Sequence, residues 1–337
     1  MMTDYPEAWY IAAETRELHQ RPLARELAEV PLVLFRDKRG VAHALVDRCP
    51  HRNVQLSGGK VINGRLQCPY HGWEFAGSGV CEHIPALPEG EHIPAKACTP
   101  KVPVIEQQGY IWVWHGQRPP TAEEQPFYFP YYGARGWGYD RMQATIENSV
   151  SNIVENFIDN PHTGYIHGGL FRSPASHWVT NTLETTADGV KVTIDEETTT
   201  ESFLSRLLVK EKVEHQDRFI YPSIVEVSYT FGPGRQMIGY QVCTPISALK
   251  TRLYTHTIFH MGWLNPVVKA FAPVVGRVIM WQDVAILKNQ GQMIARYGED
   301  FTSVLPDTAN LWIKAATRRL QRKEKLTSRQ RQVRFRL

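Results

Sequence analysis

Five cysteines among 337 residues are few, and their number is odd. That excludes a disulfide framework. Cys49 and Cys68 sit in close Cys/His spacings, so Cys81, Cys98 and Cys243 read as free thiols in a reducing compartment. Also missing is any run of about eighteen uncharged apolar residues, so no transmembrane segment is expected. The opening "MMTDYPEAWYIAAETRE" shows no basic region followed by an apolar core, so no signal peptide is expected and the cytoplasm is the expected location. No Gly-rich dinucleotide fingerprint occurs, which leaves the chain without a direct NAD(P)H site.

Charge is unevenly spread. The net charge is +4, but residues 314–337 hold ten Lys or Arg against Glu324 alone, which leaves −5 on the remaining 313 residues. Confined to one tail and unaccompanied by any nucleic-acid motif, these cations do not suggest nucleic-acid binding. The tail reads as a solvated helix face with a frayed end, or as a docking patch for an acidic electron carrier or a membrane surface.

The length suits two domains. Residues 1–118 read as short strands in "AWYIAAE", "VPLVLFRD", "VAHALVD" and "KVPVIEQQGYIWVWHG", an antiparallel domain that ends at a linker, "GQRPPTAEEQP". Residues 119–337 read as a second domain. Apolar spacing predicts a helix over Ile146 to Ile158 that stops at Asn160-Pro161. A hairpin is expected over 179–198 around Asp188-Gly189, followed by strands near 224–231, 236–244 and 251–261. Helices are expected over 273–296 and 307–325, and the apolar stretch 262–281 reads first as core packing, with the lining of a hydrophobic pocket or entrance, or contact with a membrane surface that carries a lipophilic substrate, as alternatives. The whole is α+β.

Two loops carry the first site: "CPHR" with Cys49-x-His51, then "CPYHGW" with Cys68-x-x-His71. Two thiolates and two imidazoles in paired loops can hold a tetrahedral zinc, or a [2Fe-2S] cluster with both cysteines on one iron and both histidines on the other. Pro50 and Pro69 stiffen the loops, and Gly72 lets the backbone approach the metal. Trp73 reads as a packing residue.

"VENFIDNPHTGYIHGG" carries the second site with Asp159, His162 and His167. Two imidazoles and one carboxylate on one face of an iron leave the other positions open, the facial triad of non-heme iron(II) oxygenases. A spacing of five does not align on a straight helix. It does work where the helix unwinds. The remaining histidines, among them His43, His115, His215 and His256, read as ordinary core or surface residues.

Together these motifs resemble those of the Rieske non-heme iron oxygenases, in the compact monooxygenase and demethylase branch. The resemblance spans nearly the whole chain. It implies an N-terminal all-β Rieske [2Fe-2S] domain held by Cys49, His51, Cys68 and His71, and a helix-grip catalytic domain with an antiparallel sheet and C-terminal helices. It implies a mononuclear Fe(II) on His162, His167 and a distal Asp283, with Gln290 two turns on and Asp300 and Asp307 as fallback ligands. Asn156 falls near that metal without ligating it. Asp159 becomes the acid bridging to His71 of a neighbouring subunit in a homotrimer. Electrons from NAD(P)H would arrive through a separate flavin-dependent reductase, a ferredoxin or both. The implied reaction is hydroxylation or oxidative demethylation of a small hydrophobic, aromatic or polycyclic substrate with O2. Ring dihydroxylation or desaturation uses the same site, and a pure electron-transfer protein is the non-enzyme alternative.

Overall fold

The computed structural model describes residues 5–168, 178–195 and 213–336. The chain divides into two compact units, Met1–Phe129 and Pro130–Leu337. The division falls past the Pro-rich stretch at 116–126 because that stretch is fastened to the first unit. Trp9 Nε1 donates to the Glu124 carbonyl at 2.6 Å, and Gln108 exchanges hydrogen bonds of 2.9 and 2.8 Å with the backbone of Phe129.

The first unit contains strands β1 (Ala8–Glu14), β2 (Leu23–Leu27), β3 (Val30–Arg36), β4 (Ala42–Val46), β5 (Lys60–Ile62), β6 (Arg65–Gln67), β7 (Glu74–Phe75), β8 (Cys81–His83), β9 (Lys101–Val102), β10 (Val104–Gln107) and β11 (Tyr110–His115). They form three antiparallel sheets, ordered β1-β11-β10, β2-β3-β4-β9 and β5-β6-β7-β8. Strand β3 explains the arrangement. Its Leu32 and Leu34 enter a core with Tyr10, Ile111 and Val113, while Val33 and Phe35 point the other way into a core with Leu66, Phe75, Cys49 and Cys68. A strand that serves two cores has no need of polar alternation.

In the second unit, strands β12 (Gly138–Ile146), β13 (Trp178–Thr185), β14 (Gly189–Asp195), β15 (Glu214–Ile220), β16 (Ile224–Thr230), β17 (Gln236–Ser247), β18 (Lys250–His260) and β19 (Gln330–Arg336) make one antiparallel sheet. Its order is β12-β18-β17-β16-β15-β14-β13-β19. Helices α1 (Val150–Ile158), α2 (His162–Ile166), α3 (Asn265–Tyr297) and α4 (Thr308–Gln321) accompany it. One sheet face carries Val190, Val192, Phe219, Val225 and Leu253. These pack against Ile153 and Val154 of α1, Leu287 of α3 and Ile313 of α4. This is the helix-grip arrangement.

Several sequence expectations are corrected. Ile146 closes β12, and α1 starts at Val150, because the Ser149 side chain caps it by accepting from the Asn152 N–H. Of the 179–198 hairpin, residues beyond 195 lie outside the described residues. The basic tail is not a frayed helix: α4 ends at Gln321, and Gln330–Arg336 pairs along β13. Val333 and Phe335 are buried between exposed arginines, a period-two pattern that the charge density obscured. The stretch 262–281 is not core either. It forms a 3-10 turn, Gly262–Leu264, and the first half of α3, with Trp263 of the turn and Phe271 and Trp281 of the helix at 79%, 65% and 72% exposure.

His256 on β18 is fully buried, beside Tyr132, Tyr139 and Arg141. Burial and the Arg141 charge push its pKa from 6.5 down to about 3, so the folded ring stays neutral. Below pH 6.5 the unfolded chain takes up a proton that the fold refuses, so stability falls with pH down to about 3. The slope approaches about 1.4 kcal/mol per pH unit. His256→Gln should flatten the pH dependence of the urea midpoint across this window; an unchanged slope would assign the acid sensitivity elsewhere.

Candidate metal centres

In the first unit, two loops bring the four sequence-selected residues together. Buried Asp47 anchors the first by accepting from the Ser57 N–H at 2.7 Å and hydroxyl at 2.6 Å. The Cys49 N–H donates to Val54 and the Asn53 N–H to Cys49, each at 2.9 Å, closing a turn that places Asn53 at φ 59°. The second loop closes similarly, Cys68 N–H to Trp73 at 2.8 Å and Gly72 N–H to Cys68 at 3.2 Å. Gly72 has φ 73°, and a Cβ there would lie 3.0 Å from Pro85 Cγ. Its glycine is therefore required by backbone conformation and by a neighbouring proline.

Within this frame Cys49 and Cys68 are buried, while His51 and His71 lie toward solvent. The two imidazoles approach with Nδ1 atoms 3.2 Å apart. Burial, with the Cys68 thiol alongside, pushes the Cys49 thiol up to about 11 despite the His51 backbone N–H. Two buried thiols beside two convergent imidazoles suit a cationic metal group that would take up the sulfurs as thiolates on binding. Trp73 packs on the core around Phe75 and stacks on the His51 ring, with centroids 4.7 Å apart and planes 7° apart.

In the second unit the distant residues also converge. Ligand atoms of His162, His167 and Asp283 all lie within 4.8 Å of one another. His162 begins short α2 and His167 caps its end, after Asn160-Pro161 has stopped α1, so one helical turn sets the two rings toward the same point. Asp283 is on α3 in a buried stripe with Leu287, Gly291 and Ile294. Its carboxylate oxygen stands 3.2 Å from His167 Nε2 and 3.8 Å from His162 Nε2.

Each ring is oriented through its other nitrogen. His167 Nδ1 donates to Gln282 Oε1 at 2.9 Å, and His162 Nδ1 hydrogen-bonds the Asp159 carbonyl. Both Nε2 atoms are thereby left to face the carboxylate. Asn156 Nδ2 donates to Asp283 Oδ1 at 3.1 Å and holds it in place. Burial opposes a charged His167, but its bonds to Asp283 and Gln282 outweigh this and raise its pKa above the ordinary value. Two imidazoles and a buried carboxylate aimed at one point fit a divalent cation with open coordination positions.

The Asp159 carboxylate lies at the edge of this group, with Oδ2 3.5 Å from His162 Nδ1. Asp300 is exposed, and Asp307 accepts from the Val304 N–H at 2.7 Å, so neither fallback joins the triad. Gln290 is an anchor: its Oε1 accepts from Asn148 Nδ2 at 2.9 Å, beside a 2.8 Å bond from the same amide to the Leu287 carbonyl. Gln282 went unrecognised in the sequence, where a glutamine beside an acid carries no distinguishing signal.

Gly291 shows how closely α3 is seated. A Cβ there would stand 1.9 Å from the Glu147 carbonyl oxygen. Gly291→Ala gains helix propensity yet forces α3 off β12, and should cost about 2 kcal/mol net. A denaturant midpoint that rises instead would show that the helix can shift freely.

On the sheet face beneath α1 the apolar surface is interrupted by polar pairs. Thr255 donates to Gln241 at 2.9 Å, and His215 Nε2 meets Asp217 at 2.8 Å, all four being buried.

Comparison with known proteins agrees with this division. Residues 8–104 match the Rieske [2Fe-2S] domain family, and residues 146–326 match the vanillate O-demethylase oxygenase C-terminal domain. The oxygenase component of dicamba O-demethylase from Stenotrophomonas maltophilia is 39% identical over 175 residues, 49% of this chain and 48% of that one. The chloroplastic protein TIC 55 of Pisum sativum is 36% identical over 166 residues, 49% of this chain and 30% of that one. The match thus spans half the length, or less, of these relatives. The crystal structure of dicamba monooxygenase bound to dicamba superposes with a TM-score of 0.81 at 22% identity, covering 94% of this chain and 98% of that one.

Proposed function

Since the chain belongs to the Rieske oxygenases with a vanillate O-demethylase oxygenase C-terminal domain, we propose that it is the terminal oxygenase of a multicomponent system. It hydroxylates or oxidatively demethylates a small hydrophobic or aromatic molecule in the cytoplasm. The observation that carries this reading is the convergence of His162 with the buried His167 and Asp283 in a chain that also has a Rieske domain.

Cys49, Cys68, His51 and His71 would hold a [2Fe-2S] cluster, and His162, His167 and Asp283 a single Fe(II); when bound, these supply electrons one at a time and activate dioxygen beside substrate. The chain's own work is orientation. Gln282 and the Asp159 carbonyl fix the two ring tautomers, and Asn156 holds the Asp283 carboxylate. The Asp159 carboxylate bridges to His71 of a neighbouring copy in a homotrimer, and a ferredoxin or a flavin-dependent reductase delivers electrons drawn from NAD(P)H.

The test is oxygen uptake with product mass spectrometry, using a surrogate reductase and a panel of methoxylated aromatic, alkaloid, terpenoid and steroid compounds. The expected result is substrate-dependent uptake with release of formaldehyde and a product lighter by one CH2, or with gain of one oxygen atom. A chain loaded with both metals that consumes no oxygen with any of them would overturn the reading.

A further inference from the structure

The mechanism above makes no use of the outer face of α3. Trp263, Val267, Phe271, Val274, Val278 and Trp281 are 44–79% exposed. Their spacings of four, four, three, four and three place them on one stripe, about 27 Å long at 1.5 Å per residue. A contiguous apolar surface of this size on a folded protein marks an interaction site.

The helix lies flat on its own fold. Gly276 rests on the Met142 side chain of β12, and Asp283, Leu287 and Gly291 are buried farther along. Although Gly262–Tyr297 contains a window long and apolar enough to cross a membrane, crossing would strip those buried residues from the sheet. The stripe can only face outward.

Charge selects the occupant. Residues 262–282 include Lys269 and Arg277, both exposed, and no Asp or Glu. Two copies pressed together through this stripe would bring only cations to the seam, whereas anionic headgroups neutralise them. Tryptophans close both ends of the stripe, and an indole favours the boundary between headgroups and acyl chains. We infer that the outer face of α3 docks the protein onto an anionic lipid surface, as an interfacial helix with Trp263, Phe271 and Trp281 inserted at headgroup depth. Docked so, the far side of the same helix presents Asp283, and a lipophilic substrate could be drawn from the bilayer. The docking itself does not depend on the metals.

The experiment is co-sedimentation of the full, cluster-loaded chain with phosphatidylcholine vesicles, with and without phosphatidylglycerol. Wild type should pellet with the anionic vesicles. Phe271→Asp should lower partition at least about tenfold, and Arg277→Gln should lower it about fivefold on anionic vesicles only. Visible absorption and gel-filtration volume should stay as in wild type, and a Gln substitution at Arg331 and Arg334 of the tail should leave partition unchanged. Wild type remaining in the supernatant would overturn the inference. So would equal partition of Phe271→Asp, or a break-up of an assembly of copies by that variant, which would make the stripe an interface within an oligomer.

Discussion

Asp283→Ala is expected to reduce substrate oxidation by more than about a hundredfold while the [2Fe-2S] absorption stays unchanged. Removing a group that merely supports a metal ligand costs about 10–100-fold, so removing the ligand should cost more. Asp283 also contributes the only carboxylate among the three converging groups. Iron content should drop from about three atoms per chain to about two, the cluster's own complement. Gln282→Ala and Asn156→Ala should give graded losses inside the 10–100-fold range, because each leaves the triad present but loosely aimed. Wild-type turnover by Asp283→Ala, with three irons retained, would remove Asp283 from the site.

Asp159→Asn should keep both metal centres and still lose about a hundredfold in turnover. The substitution is informative because His162 Nδ1 is held by the backbone carbonyl of residue 159, which asparagine retains. Only the carboxylate charge beside the ring is lost. Reoxidation of the reduced cluster in a single turnover should therefore slow, with substrate affinity nearly unchanged. Normal turnover would leave Asp159 as a helix-terminating residue and nothing more.

The parts of the site that were legible in the sequence are those written in short spacings. Cys49, His51, Cys68 and His71 fall in two tight turns, and His162 and His167 stand at the start and just past the end of short α2, so each pair needs only local geometry to meet. Asp283, more than a hundred residues away, could be chosen only through the resemblance, which implies a late-helix aspartate with a glutamine two turns on. The groups that orient these ligands were not legible. Gln282 and the Asp159 carbonyl act through a tautomer, and Asn148 with Gln290 act through the seating of a helix, none of which leaves a pattern in one dimension. Composition misled twice. The apolar run 262–281 resembles a buried helix by content, and only its packing on β12 shows which side faces out. The arginines of the tail hid the alternation of Val333 and Phe335.

That tail has a bearing on how the protein behaves at high concentration. Without β19, strand β13 would end the sheet with unpaired backbone groups, a template for joining another chain edge to edge. With it, the exposed margin carries Arg331, Arg334 and Arg336 on a short strand. A second such margin meets like charge before it can form a ladder, so the residues that look from composition like an invitation to partners work as gatekeepers against aggregation.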